Sequence, residues 1–238
     1  MPDQSAKALA TPVSITDGRS VHVSGLLQAP PGKARACFVL AHGAGAGMTH
    51  PFMAAIAEGL AARGIATLRY QFPYMERGAK RPDPPQLAHA TVHAAVAAAG
   101  RALPDLPLIA GGKSFGGRMT SQAQAIAPLP GVRGIAFLGF PLHPAGKPSS
   151  ERAEHLFAAH IPMLFLQGSR DQLAAPELIE PLTRSLGARA TLQIFADADH
   201  SFHVPARSGR SDAAIRNELL DMLAAWIAAV ITAPMPAR

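Results

Sequence analysis

The motif Gly-Lys-Ser-Phe-Gly at residues 112–116 places one serine hydroxyl in the spacing G-x-S-x-G. It follows a short apolar run and precedes a segment with helical character, so Ser114 is predicted at a turn between a strand and a helix. Such a turn strains the serine backbone and projects the hydroxyl above the sheet, beside the N-terminal N–H groups of the helix. The pattern predicts a nucleophile at Ser114, against the alternative of a flexible loop that happens to contain a serine.

Two glycine-rich motifs that bind phosphate groups are excluded by single residues. The P-loop pattern that ends in Gly-Lys-Ser requires glycine at position 107, where the chain has Pro107. The dinucleotide pattern G-x-G-x-x-G requires glycine where the chain has Met48 or His50. The glycines around Ser114 therefore do not indicate a nucleotide site, and no cofactor is expected.

A serine hydroxyl needs a base to remove its proton, and the sequence offers His200 for that role. His200 lies in the segment Asp-Ala-Asp-His-Ser-Phe, directly after the last apolar strand pattern. Asp171 follows another apolar run, in Ser-Arg-Asp-Gln-Leu, and can approach the imidazole from a separate strand end. The chain order Ser114, Asp171, His200 is the order of triad members in a large class of serine hydrolases, so we predict these residues as nucleophile, acid and base.

Neighbouring residues compete for two of these roles. His203 is the second choice for the base because it lies farther from the strand end. Asp197 and Asp199 are rivals for the acid, but adjacent side chains in a loop rarely face each other, which disfavours Asp199 beside His200. A surface position for His200 and a turn or cap position for Asp171 remain the non-catalytic alternatives.

The glycine-rich segment at residues 42–47 follows the first apolar run of the core. In hydrolases with the G-x-S-x-G motif, a loop at this place supplies one backbone N–H to a developing oxyanion, and the residue after the nucleophile supplies the other. We therefore predict the N–H groups of Ala44 and Phe115 as the oxyanion donors. His42 is expected to brace the loop, and a plain strand-to-helix connection is the alternative.

Three residues that follow apolar strand patterns are predicted as possible pocket residues without a chemical role: His42, Gly43 and His143. Lys113 precedes the nucleophile, and in hydrolase geometry the preceding side chain is expected to point away from the pocket. None of these residues is needed for the predicted proton transfers.

His89 and His93 stand four residues apart on a predicted helix, which is a spacing that metal ligands use. A zinc protease would have glutamate next to the first histidine, where the chain has Ala90, and no third ligand is evident. We therefore predict no metal site.

The elements that position these residues follow from the hydrophobic pattern. Apolar runs alternate with helical patterns from residue 36 onward, which predicts an α/β fold: a mostly parallel sheet with helices on both faces. In such sheets ligands bind beyond the carboxyl ends of the strands, where all the candidate residues lie. The predicted strands are 36–43, 65–72, 106–112, 132–140, 161–168 and 190–197, and the predicted helices are 51–64, 86–100, 115–127, 150–160, 176–187 and 211–231.

The opening segment has a different pattern from the rest of the chain. Its residues alternate around Asp17 and Gly18, which predicts an antiparallel hairpin at the sheet edge over about residues 11–29. No linker or composition shift divides the remaining residues, and no internal repeat is found. The sequence therefore predicts a single domain over 1–238, with its core over about 36–232.

Composition narrows the possible partners and location. The 238 residues carry a formal charge of +6, but the arginines are scattered and only 5% of residues are aromatic, which argues against a nucleic-acid surface. The single cysteine, Cys37, allows no disulfide within the chain, and the N-terminal residues show no signal-peptide pattern. The late apolar stretch is too short to span a bilayer, so no membrane partner and a cytoplasmic location are expected.

Several segments together resemble a small α/β-hydrolase family that is typified by a regulatory subunit of the NSL histone acetyltransferase complex and has many bacterial members. The segments, which span about residues 36–222, are AHGAGAG with HPFM, RYQFPYMERG, GGKSFGGRM, GFPLHPAGKP, LFLQGSRDQL and DADHSFHVPARSGR. FPYM and GKPSSERAEHL are the more specific motifs, and dienelactone hydrolase-like enzymes and small esterases are the next relatives. The resemblance implies an α/β-hydrolase fold and a cofactor-free site at Ser114, Asp171 and His200.

The expected function is hydrolysis of ester-like acyl bonds in small substrates through an acyl-enzyme. The segments between strands leave no room for a large lid; the loop at residues 141–155 is the only candidate for one. Two alternatives stay open from the sequence. One is a non-catalytic binding or scaffold protein that kept the fold, and the other is thioester or peptide hydrolysis by the same triad.

Overall fold

An eight-stranded sheet forms the centre of the molecule in the computed structural model, which describes residues 7–14 and 20–233. The spatial order is β1-β2-β4-β3-β5-β6-β7-β8. β1 and β2 pair antiparallel at one edge, β2 runs antiparallel to β4, and the remaining neighbours are parallel. The strands are β1 (Lys7–Ser14), β2 (Ser20–Gln28), β3 (Ala36–Ala41), β4 (Ile65–Tyr70), β5 (Leu108–Lys113), β6 (Val132–Leu138), β7 (Met163–Gly168) and β8 (Ala190–Phe195).

Helices connect the parallel strands, and four of them begin at a proline, whose fixed φ and missing N–H suit the first helical position. The last helix is capped by the Ser211 hydroxyl, which accepts from the N–H of Ala214. The helices are α1 (Pro51–Ala61), α2 (Pro73–Glu76), α3 (Pro85–Ala102), α4 (Phe115–Ile126), α5 (Pro176–Ser185) and α6 (Asp212–Thr232), with 3₁₀ turns at Glu151–Ala158, Gly187–Arg189 and Ala206–Ser208.

The central strands β3, β4, β5 and β7 are buried on both faces, as their apolar residues require. Successive residues of β3 alternate between two cores: Phe38 and Leu40 pack with α1 and α6, whereas Cys37 and Val39 pack with α3 and α4. A third cluster joins β6 and β7 to α5 and the 3₁₀ turn at Glu151–Ala158. This arrangement confirms the predicted α/β fold, with a mostly parallel sheet and helices on both faces.

Several predicted boundaries were wrong by a few residues, and each has a local cause. β4 ends at Tyr70 rather than Phe72, because Pro73 starts the short, unpredicted helix α2. β5 begins after Pro107, which has no N–H to donate to a neighbouring strand. The predicted helix at 150–160 is a 3₁₀ turn, and the predicted Asp17–Gly18 turn lies outside the described residues.

The chain changes direction across the sheet at β3, since β4 lies on one side of it and β5 on the other. A crevice beyond the strand ends at such a switch point is the usual ligand site of an α/β sheet. Within residues 7–14 and 20–233, no large lid covers this edge, and the β6–β7 connection carries only the 3₁₀ turn at Glu151–Ala158. Within the described residues, no helix is both long and apolar enough to cross a membrane.

Candidate active site

Ser114 occupies a sharp turn between β5 and α4, with the positive φ of 49° and a ψ of −117°. Such a backbone is strained for a residue with a side chain, so tight surroundings must hold it. A Cβ at Gly116 would lie 2.5 Å from the carbonyl oxygen of His42, and one at Gly112 would lie 2.2 Å from that of Ala41. The glycines of the motif therefore let α4 and β5 approach β3 closely enough to impose the turn on Ser114.

Ser114, His200 and Asp171 form a continuous chain of hydrogen bonds. The Ser114 hydroxyl lies 2.8 Å from Nε2 of His200, and Nδ1 of His200 lies 2.6 Å from Oδ2 of Asp171. With a carboxylate acceptor at Nδ1, that nitrogen carries the proton and Nε2 is left to accept from the hydroxyl. The structure brings together the three residues that the sequence analysis selected.

The Asp171 carboxylate is buried and is held by further donors. Its Oδ1 accepts from the N–H of Leu173 at 2.8 Å, and its Oδ2 accepts from Nε2 of Gln167 at 2.5 Å. The side-chain oxygen of Gln167 accepts in turn from the N–H of Phe140 at 2.9 Å. These bonds hold the carboxylate against the imidazole. Sequence reasoning missed Gln167 because it lies within an apolar strand pattern, and the hydrophobic pattern does not show which buried group its amide contacts.

The rival residues have other partners. His203 pairs with Asp212 at 2.8 Å, which raises the pKa of this exposed imidazole. Asp199 accepts from the N–H groups of Ser201 and His203, so it shapes the loop after β8. Asp197 has a positive φ of 60° in the same loop. None of these side chains contacts the His200 ring among the described hydrogen bonds.

His42 is buried beneath the glycine-rich loop and ties it to the end of β4. Its Nδ1 lies 2.8 Å from the carbonyl oxygen of Gly43, and its Nε2 accepts from the N–H of Phe72 at 3.0 Å. Burial lowers the pKa of His42, which keeps the ring neutral with Nδ1 protonated. A second tie joins the N–H of Met48 to Oε1 of Gln71 at 2.8 Å. His42 thus lies where it can brace the loop, as expected, but it is fully buried and lines neither of the two cavities at His200, unlike the expected pocket residue.

The N–H groups of Ala44 and Phe115 stand near Ser114 without a protein acceptor. Ala44 lines the cavity that contains Ser114, and Phe115 is the first residue of α4. Within residues 7–14 and 20–233, neither N–H donates to a backbone or side-chain oxygen outside regular structure. Both groups are available to a bound oxygen atom.

Two cavities meet at His200. The first, of about 270 Å³, contains Ser114 and has mostly apolar walls. The second, of about 500 Å³, also has mostly apolar walls but includes the charged side chains of Arg170 and Asp199. The first is lined by Gly43, Ala44, Ala46, His50, Phe52, Met53, Lys113, Ser114, His200 and Ser201. The second is lined by Ala145, Arg170, Gln172, Leu173, Asp199, His200, His203 and Pro205.

Two of the predicted surrounding residues lie differently from expectation. Lys113 does not point away: it lines the cavity with Ser114, and its ammonium donates to the carbonyl oxygen of His200 at 2.6 Å. His143 is buried and lines neither cavity, because its ring is engaged by the carbonyl of Pro144 and the N–H of Ala175. Gly43 does line the Ser114 cavity.

The histidine pair on α3 is placed away from any group of ligands. His89 bonds to the Gln122 side chain at 3.1 Å, and burial lowers the pKa of both His89 and His93. Among the described residues, no three histidine, cysteine or acidic side chains converge in a way that could hold a metal ion.

Residues 34–228 match the family described as an alpha/beta hydrolase domain. The chain belongs to this family. The match covers the sheet from before β3 to within α6, so it includes every candidate residue of the α/β-hydrolase site.

Solved structures show the same fold at low sequence identity. A dienelactone hydrolase from Anabaena variabilis is 22% identical with a TM-score of 0.73, and the match covers 95% of this chain and 99% of that one. A Xanthomonas campestris protein described as a serine hydrolase without a lid is 19% identical with a TM-score of 0.70, covering 98% and 99%. A serine hydrolase homologue from Coxiella burnetii is 17% identical with a TM-score of 0.70, covering 91% and 95%.

Proposed function

We propose that this α/β-hydrolase cleaves ester-like acyl bonds of small substrates through a covalent acyl-enzyme on Ser114. The observation that carries the proposal is the hydrogen-bonded chain from the Ser114 hydroxyl through His200 to Asp171, with distances of 2.8 and 2.6 Å. The family match and the esterase and hydrolase folds among the similar structures support the reaction class.

In the acylation half, Oγ of Ser114 bonds to the substrate carbonyl carbon while Nε2 of His200 takes the hydroxyl proton. The carbonyl electron pair moves onto the oxygen, where the N–H groups of Ala44 and Phe115 would stabilise it by about 3 kcal/mol per donor. The tetrahedral adduct collapses, the carbon–oxygen bond to the leaving alcohol breaks, and His200 gives its proton to that oxygen. Asp171 stabilises the imidazolium between these transfers.

In the deacylation half, a water molecule replaces the leaving alcohol beside His200. Nε2 removes a proton from this water as its oxygen attacks the acyl carbon. The bond to Oγ of Ser114 then breaks, and His200 returns the proton to the serine. The products are a carboxylic acid and an alcohol, and the enzyme is restored without any cofactor.

The two cavities suggest which part of a substrate goes where. The cavity of about 270 Å³ beside Ala44 and Ser114 is below the usual volume of drug-sized ligand sites, so it suits a short acyl group against Phe52 and Met53. The cavity of about 500 Å³ shares His200 with the first and contains the charged side chains of Arg170 and Asp199, so we assign the leaving alcohol to it.

Covalent labelling by a fluorophosphonate tests the proposal directly. The parent protein should bind one label per protein molecule, and Ser114→Ala should bind none. His200→Ala should be labelled slowly, because the Ser114 hydroxyl then lacks a base. Full labelling of Ser114→Ala would show that another residue is the nucleophile.

A binding or scaffold protein with the same fold is the second candidate. It is disfavoured because a binding role requires neither the strained φ of Ser114 nor the aligned triad. Turnover of short p-nitrophenyl esters separates the two, since equal background rates for the parent and His200→Ala would favour a scaffold. The same assay with matched thioesters and anilides distinguishes esterase from thioesterase and amidase activity.

Within the family, we propose that the chain belongs to the branch related to the NSL-complex subunit. The support is the sequence of the segments FPYM and GKPSSERAEHL, which form α2 and the β6–β7 connection. Those segments flank the site and carry none of the triad residues, so the proposed branch does not alter the proposed reaction.

A further inference from the structure

Lys113 contacts the backbone of His200, whereas the nucleophile contacts its ring. Nζ of Lys113 donates to the carbonyl oxygen of His200 at 2.6 Å and lies 5.6 Å from the centre of the Phe202 ring. The next residue, Ser114, contacts the other end of the same histidine through Nε2 at 2.8 Å. Two successive residues therefore hold the backbone and the ring of His200 together.

The space around the Lys113 side chain depends on two glycines. A Cβ at Gly139, whose φ is 75°, would lie 3.0 Å from Nζ of Lys113 and 3.2 Å from Cε1 of His200. A Cβ at Gly43 would lie 3.4 Å from Cγ of Lys113. The lysine stem thus runs beside the predicted oxyanion loop, and its end reaches the histidine loop after β8.

The ammonium is half-buried among groups from several elements. The charged or titratable groups near it are Asp171 after β7 and Asp199 and His200 after β8, and His50 before α1 lines the same cavity. Burial lowers the pKa of Lys113 to about 8, although Asp171 and Asp199 act in the opposite direction. The side chain is therefore a cation at neutral pH and loses its charge in mildly alkaline solution.

We infer that Lys113 is a positioning residue whose ammonium, bonded to the carbonyl oxygen of His200, keeps the imidazole within hydrogen-bond distance of Ser114. This inference rests on the proposed function. A charged donor makes a stronger bond to a carbonyl than a neutral one, so the restraint is strongest while Lys113 is protonated. Phe202 adds a cation–π contact on the other side of the ammonium.

The test replaces Lys113 by methionine, which keeps the length of the stem and removes the donor. Because small displacements of a catalytic group are costly, kcat for a short ester should fall roughly 10- to 100-fold in Lys113→Met, with KM little changed. Lys113→Arg keeps a positive donor and should recover part of the loss. Lys33→Met, at an exposed lysine before β3, should match the parent.

The pH profile supplies a readout that a purely structural role would not move. The parent should lose activity above about pH 8 as Lys113 deprotonates, the decline should move to higher pH in Lys113→Arg, and it should be absent in Lys113→Met. A parental kcat together with an unchanged alkaline limb in Lys113→Met would overturn the inference. If Lys113→Met does not fold, a parental rate that stays flat from neutral to strongly alkaline pH overturns it equally.

Fluorophosphonate labelling distinguishes failure of the positioning role of Lys113 from failure of the proposed function. If the parent is labelled at Ser114 and Lys113→Met is labelled at the same rate, only the positioning role is wrong. If the parent is not labelled at all, the proposed function is wrong and this inference fails with it. Slow labelling of Lys113→Met to the full one-to-one ratio is the result expected.

Discussion

The molecule contains a second serine–histidine pair with the same separation as the first. The Ser121 hydroxyl lies 2.8 Å from Nε2 of His155, just as the Ser114 hydroxyl lies 2.8 Å from Nε2 of His200. Ser121 sits within α4, two turns after Ser114, and His155 comes from the 3₁₀ turn that packs on that helix. The two pairs can therefore be compared within one protein.

The differences lie around the two pairs rather than within them. Ser121 has a regular helical position, is fully buried, and its hydroxyl donates to the carbonyl oxygen of Arg118. No described carboxylate contacts the His155 ring; burial and the nearby positive charge of Arg118 lower the pKa of that ring to about 4. The comparison teaches that strain, a cavity and a carboxylate, more than distance, distinguish the site at Ser114.

Separate replacement of the two serines should give the largest contrast. Ser114→Ala is expected to lower ester turnover by about 10⁴-fold or more, because the nucleophile is lost. Ser121→Ala should leave turnover near the parental level, since that hydroxyl is fully buried and lines neither of the two cavities at His200. Steady-state kinetics with p-nitrophenyl acetate measures both. A large loss in a folded Ser121→Ala would mean that the second pair takes part in the chemistry.

Removal of the carboxylate should make the first pair resemble the second. Asp171→Asn keeps the size of the side chain but replaces an acceptor by an amide, so His200 loses the partner that fixes its tautomer. We expect kcat to fall roughly 10³- to 10⁴-fold with the fold intact. Circular dichroism checks the fold, and retention of more than a tenth of the parental kcat would contradict the role given to Asp171.

A smaller change tests the space beside His200. Gly139→Ala places a methyl group against both His200 and Lys113, and we expect roughly a tenfold loss of kcat as the imidazole shifts. Gly146→Ala is the matched control, because its φ of 70° gives similar backbone strain while no atom lies within 4 Å of the added Cβ. Equal loss in the two variants would assign the effect to strain alone.

The smallest expected effect concerns stability rather than rate. The folded pKa of His155, about 4, is below its ordinary value of 6.5, so the unfolded chain binds more protons between those pH values. The contribution to stability is complete above about pH 6.5 and is lost as pH falls toward 4; it is on the order of 3 kcal/mol.

Urea unfolding at pH 7.5 and pH 4.5 measures this contribution. The acid-side fall in the free energy of unfolding should be smaller in His155→Gln than in the parent, whereas His22→Gln, at an exposed histidine, should behave as the parent does. An identical fall in all three proteins would contradict the assignment to His155. Some pH dependence should persist, because burial also lowers the pKa of His42, His89 and His93.

Much of the fold, and the proximity of Ser114, Asp171 and His200, could be predicted because both depend on short-range sequence patterns. Apolar runs that alternate with helical segments define a parallel sheet, and the ends of such strands gather at one edge. Ser114, Asp171 and His200 each follow a strand directly, so their meeting required no knowledge of side-chain packing. The chemical roles given to them stay predictions until the kinetic tests are made.

The features that sequence reasoning missed depend on contacts between distant segments. The direction of Lys113 is set by the room left at Gly43 and Gly139, which no local pattern reveals. The pairing of Ser121 with His155 depends on how the 3₁₀ turn packs on α4. The observed end of β4 and start of β5 differ from the predicted ones at Pro73 and Pro107. Hydrophobic periodicity alone does not show where a proline lacks the N–H that a strand would use.

The buried amide of Gln167 has a consequence for how the site responds to change elsewhere. It accepts a hydrogen bond from the backbone N–H of Phe140 and donates one to Asp171, so a single side chain couples the turn after β6 to the triad acid. A movement of that turn would reach the carboxylate through this amide, and it would also reach the imidazole directly, since a Cβ at Gly139 would lie 3.2 Å from Cε1 of His200. We therefore expect substitutions on the outer surface of the β6–β7 connection to change turnover in the proposed reaction while Ser114, Asp171 and His200 stay the same.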